Sequence, residues 1–147
     1  MWPFPLRPLA GWGLTVLRVI VGVVFFLHGW QKLFSWGLGS VAGFMSQSGI
    51  PLPGLAAVVV TAAELLGGLA LILGLLTRWA ALVLAVNMLV AILVVHLRHG
   101  FFLPNGFEFA LSLLAANVAL LLEGGGKLEL EAQLRPRQAP QAAPAQV

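Results

Sequence analysis

His28 and Lys32 stand one helical turn apart in the stretch FFLHGWQKLF, at the end of one of the most apolar runs of the chain. An imidazole titrates near physiological pH, so it can hydrogen-bond a carbonyl group or pass a proton. An ammonium can stabilise an anion. Glu64 places a carboxylate inside a second apolar run, TAAELLGGLALILGLL, and an ionisable side chain in such a run marks a functional site by default. Arg18, Gly29, Asn87 and Glu108 complete the candidate set for binding a ligand. The chemistry on offer is hydrogen bonding, proton movement and charge stabilisation. The chain has no cysteine, which excludes disulfides, CxxC redox chemistry, thiolate metal sites and thioether-linked haem. No residue is assigned a catalytic role.

Each candidate also has a plainer role. Lysine commonly snorkels at a membrane border. Glu64 can form a structural ion pair with Arg18 or Lys32. Asn87 can hold helices together. Glu108 can be a helix N-terminal acid favoured by the dipole, or a counter-charge to Lys32 and Arg98. Two histidines ligating a haem must face one another across helices. His96 lies about half a turn from Asn87 on an α-helix and is expected to face away from the centre, so haem is not expected. His28, His99 and Glu108 provide no ligand pair at i and i+4, and no metal site is expected.

The elements that position these residues follow from composition. Of 147 residues, 60% are hydrophobic and 9% charged, against about 25% charged in soluble domains. Mean hydropathy is +0.98. So little polar material cannot cover a water-facing surface, and the chain reads as an integral membrane protein in contact with the lipid bilayer. A net charge of +3 and pI near 10.7 could suggest nucleic acid, but the basic residues are scattered at helix ends, which is the pattern of membrane topology.

Four apolar segments have roughly spanning length, at about 13–34, 55–76, 79–97 and 107–122; the last is the shortest. Residues 1–12 form an N-terminal segment, 13–131 the membrane domain, and 132–147, rich in Pro, Ala and Gln, a disordered tail. The first segment is too long for a signal-peptide core, contains Arg18 and lacks a small-x-small cleavage site, so it is read as a span. Four spans put both termini on one side. Arg7, Arg78, Lys127, Arg135 and Arg137 fall there, against Lys32 and Arg98 opposite, which makes the terminal side cytoplasmic. The tryptophans at 2, 12, 30, 36 and 79 lie near span ends, as an interfacial belt would. The connection 35–54 could begin as a short interfacial helix that stops before Pro51.

Helical spacing gives each segment one stripe of small and polar residues. These are Arg18, Gly22, Phe25, Gly29 and Lys32; Ala57, Thr61, Glu64, Gly68 and Leu71; Ala80, Asn87, Ala91, Val94 and Arg98; and Glu108, Ser112, Ala115 and Ala119. Small residues let backbones approach and polar ones find partners inside a bundle. The expected fold is all-α, an integral membrane antiparallel four-helix bundle with the stripes facing one another. From the cytoplasmic end, Arg18 lies roughly 7 Å deep, Glu64 roughly 18 Å and Lys32 roughly 28 Å.

The chain resembles the DoxX family of small bacterial four-span membrane proteins. The matching pieces are LRVIVGVVFFLHGWQKLF, TAAELLGGLALILGLLTRWAA and NGFEFALSLLAANVALLLEGGGKLEL, together covering about residues 14–131. Arg18, Gly22, His28, Gly29 and Lys32 stand where the family has Arg, Gly, His-Gly and Lys; Glu64 and Glu108 match its two acids. The family's usual Ser-Leu-Asp-like end is replaced by GGGKLELE, so no role is carried to Glu129 or Glu131.

The resemblance implies a multi-pass protein of the bacterial inner membrane. It also implies association with quinone-linked oxidoreduction, as a subunit served by a membrane or soluble oxidoreductase partner. A quinone or similar apolar ligand would lie among the stripes. The alternative is a non-enzymatic scaffold or assembly factor. A small-solute carrier, a homo-oligomer in that case, fits less well because broken inverted-repeat helices are missing. No nucleic-acid partner is expected.

Overall fold

The computed structural model describes residues 11–131. Among them every regular element is helical and no strand occurs. Helix α1, Trp12–Trp30, runs on through a π-helical segment, Gln31–Trp36, and stops at Gly37. Helix α2, Leu38–Gln47, is short. Helix α3, Pro53–Leu73, starts with proline at its first position, where a missing N–H costs no helical bond. It ends at Gly74 in the left-handed conformation that closes helices. Helix α4, Thr77–Val90, passes into a π-helical segment, Ala91–His96, and a 3₁₀ turn, Leu97–His99. Helix α5 is Glu108–Glu123.

Among the described residues three helices are long and apolar enough to cross a membrane: Trp12–Trp36, Pro53–Leu73 and Thr77–His99. Their outer faces carry exposed Val16, Ile20, Leu27, Leu66, Val86 and Leu93, a surface suited to lipid. Helix α5, with 16 residues, spans about 24 Å and is shorter than the roughly 30 Å hydrocarbon core. The short helix expected before Pro51 is α2, which folds back on α3, with Val41 and Met45 buried against Ala57. Arg7, Trp2, Arg135, Arg137 and the tail from residue 132 lie outside the described residues.

The tightest packing joins α1 to α3. Gly22 and Gly29 on α1 and Gly68 on α3 sit where an added Cβ would fall on the partner helix's backbone, at Gly68 O, Leu65 N and Phe26 N respectively. Backbones approach this closely only across small residues. The buried residues of α3 are Ala57, Thr61, Glu64, Gly68 and Leu71, the stripe expected from spacing. Helix α4 packs between α3 and α5, and Leu84, Met88, Ala110 and Leu120 close the core with Phe25 and Leu71. Gly68→Ala should lower stability by about 1–3 kcal/mol, the usual cost of overpacking. A shift in the reversible unfolding midpoint in mixed detergent micelles would measure it, and an unchanged midpoint would mean that α1 and α3 have room to part.

The inward face of α5 differs from expectation. It buries Ala110, Asn117 and Leu120, while Ser112 and Ala115 are exposed. The contact with α4 is made by large side chains, including Leu113, Leu114 and Leu121, so small residues do not mark it.

Candidate functional site

Glu64 is the centre of the site. It lies on the buried stripe of α3, and its side chain is 5% exposed. The Lys32 ammonium, carried by the π-helical extension of α1, pairs with Glu64 Oε2. Asn87 Nδ2, from α4, donates to Glu64 Oε1 at 3.2 Å. One carboxylate thereby ties three helices together, and both its oxygens are engaged. A buried charge is tolerated only when paired and hydrogen-bonded, and here it is both.

Beside this triad is a cavity of about 590 Å³. Lys32, Glu64 and Asn87 line it, and His28 and His96 add two imidazoles. The remaining walls are mostly apolar: Phe25 from α1, Val41, Phe44 and Met45 from α2, Met88 from α4, Phe109 and Leu113 from α5. An apolar cavity of this size with a few polar groups is the usual form of a small-molecule site. His28 Nδ1 lies 2.8 Å from Val24 O, and its ring tilts beside Phe109 with centroids 6.3 Å apart. His96 Nδ1 lies 2.9 Å from Asn105 O.

The position of His96 corrects the sequence-based expectation that it faces away. Residues 91–96 are π-helical, and Leu97 N–H donates to Ile92 O, five residues back. A wider turn advances each residue by a smaller angle than an α-helix does. The half-turn separation from Asn87 therefore shrinks, and His96 turns into the cavity. The argument against haem that rested on its facing outward falls with it.

Of the seven candidate binding residues, His28, Lys32, Glu64 and Asn87 line the cavity. The other three do not. Arg18 is 1% exposed and sits at the opposite end of α3. Its Nη1 donates to Leu71 O at 2.5 Å and Ile72 O at 3.2 Å, its Nε to Gly125 O at 3.1 Å, and its Nη2 to Leu128 O at 2.8 Å. It caps the C-terminus of α3 and grips the glycine-rich strap after α5. Gly29 is occupied by the contact with α3. Glu108 Oε1 accepts from Leu103 N at 2.7 Å, so it fixes the loop whose Leu103 and Pro104 form part of the cavity wall.

Sequence reasoning missed three contributors. Trp36 and the inner face of α2 close one side of the cavity; the i, i+4 spacing of Val41 and Met45 was the available signal. The strap residues pair within the strap, Gly125 N donating to Glu129 Oε1 at 2.6 Å, and to α1, Lys127 N donating to Thr15 Oγ1 at 3.0 Å; the run of three glycines was their only trace. No sequence signal announced the two π-helical segments.

The DoxX family model matches residues 13–97, a range that contains His28, Lys32, Glu64, Asn87 and His96. A Bacillus subtilis (strain 168) protein named "Putative oxidoreductase CatD" is 37% identical over 119 residues, covering 81% of this chain and 84% of the relative. An uncharacterized protein of Haemophilus influenzae is 34% identical over 122 residues, covering 80% and 87%. An uncharacterized membrane protein of Mycobacterium tuberculosis is 32% identical over 148 residues, covering 92% and 90%. No solved structure matches.

Proposed function

Because this chain belongs to the DoxX family of membrane proteins, we propose that it is a membrane subunit associated with quinone-linked oxidoreduction, holding a quinone or similar apolar ring in the cavity beside Glu64. The observation that carries this reading is the cavity itself, about 590 Å³ with mostly apolar walls and with Lys32, Glu64, Asn87, His28 and His96 in its lining. Lys32 keeps ammonium hydrogens beyond its bond to Glu64 and can donate to a ring oxygen. In this reading electrons come from a membrane or soluble oxidoreductase partner. A relative that bears an oxidoreductase name supports the association.

In the same reading α5 is a fourth, short span completing an antiparallel bundle, and both termini face the cytoplasm across the bacterial inner membrane. The charge pattern supports this orientation. Arg78 and Lys127 line one hollow at the Arg18 end, the side to which positive charge is drawn.

The experiment is direct. Protein purified in mild detergent is extracted and searched for bound quinone, and added quinone is titrated onto it. The expected result is co-purified or saturably bound quinone. Neither, or an absorption spectrum showing haem, would overturn the reading. The alternative of a scaffold or assembly factor is favoured by one observation, that the Glu64 carboxylate is already satisfied by Lys32 and Asn87 without a ligand. It predicts no saturable quinone binding and partner capture that survives His28→Ala.

A further inference from the structure

We infer that the cavity selects the hydroxyl-bearing, reduced form of its ring ligand, a quinol rather than a quinone, through His28 Nε2 and His96 Nε2. This deepens the proposed function and rests on it. Both imidazoles line the cavity, and both have Nδ1 within hydrogen-bond distance of a backbone carbonyl, Val24 O at 2.8 Å and Asn105 O at 2.9 Å. A carbonyl oxygen can only accept, so in the neutral ring the proton sits on Nδ1 and Nε2 is left as a lone-pair acceptor. Two residues from different helices, α1 and the π-helical end of α4, are therefore held in the same tautomer.

The other polar groups sharpen the preference. Glu64 is an acceptor, but its two oxygens are engaged by Lys32 and Asn87. Lys32 is a donor with hydrogens to spare. A quinone has only acceptor oxygens: it can take a bond from Lys32, but it sets its lone pairs against those of the two imidazoles. A quinol hydroxyl donates and accepts. It can give its hydrogens to Nε2 of His28 and His96 and still accept from Lys32. The π-helical segment 91–96 is what makes the second acceptor available, because an α-helical continuation would turn His96 away.

The test compares decylbenzoquinone with decylbenzoquinol, each titrated under anaerobic conditions onto the intact purified protein in detergent. The quinol is expected to bind about ten-fold more tightly, the worth of two neutral hydrogen bonds. In the double variant His28→Phe with His96→Phe, which keeps ring bulk and removes both acceptors, the ratio of the two affinities should fall to about one. Each single variant should lose part of the ratio, and these carry the test if the double variant does not fold. Equal binding of the two forms by the wild-type protein, or a ratio unchanged in the variants, overturns the inference and leaves the proposed function standing. Failure of both forms to bind overturns both.

Discussion

Glu64→Leu should destabilise the protein by on the order of 3 kcal/mol, and Lys32→Met in the same chain should recover most of that loss. The reason is the asymmetry of buried ion pairs. Removing one partner leaves an uncompensated charge, whereas replacing both with apolar groups is often neutral or better. Lys32 is the more exposed of the two, at 16% against 5% for Glu64, which holds the expected loss at the low end of the range for buried pairs. Unfolding equilibria of the two single variants and the double variant in mixed micelles measure it. Quinone titration of the same proteins then separates structure from function. If the triad only sets helix register, the double variant behaves as wild type in both measurements. If it also contacts ligand, the double variant regains stability and still fails to bind. A single variant as stable as wild type would mean that the pair does not stabilise the fold.

How much of this was legible in the sequence varies by helix, for physical reasons. On α3, spacing alone identified the buried stripe, because the helix is regular and its interface with α1 depends on small residues. Glu64 stood out for the same reason: a carboxylate in an apolar run needs a partner, and Lys32 was one of two in reach. The identity of the partner was not legible, since both long cations lay within reach on a straight-helix estimate. On α5 the small-residue rule failed, because large side chains make its contact with α4. His96 could not be placed, because periodicity assumes 3.6 residues per turn and residues 91–96 do not keep it. A short helix before Pro51 was legible and is α2, but its contribution to the cavity is a tertiary fact that depends on its packing against α3.

Arg18→Leu should be more damaging still than Glu64→Leu, with a stability loss on the order of 4 kcal/mol. The guanidinium is buried, and its hydrogen bonds go to four carbonyl oxygens, two at the end of α3 and two in the strap after α5, as much as 110 residues away. Hydrogen bonds from a charged donor are each worth about 1.5–3 kcal/mol and are not additive. Their loss would strand helix-terminal carbonyls that have few other partners. Arg18→Lys keeps the charge but not the fork that reaches several acceptors at once, so it should recover only part of the loss. The damage should also be local. With the grip released, the bonds from Lys127 N to Thr15 Oγ1 and from Glu131 N to Gly74 O should open, and trypsin should cleave after Lys127 faster than in the wild type. The cavity lies at the other end of α3, so a folded Arg18→Lys protein should still bind quinone. Loss of binding with the strap still closed would instead place Arg18 in the ligand site, as its position in the family pattern first suggested.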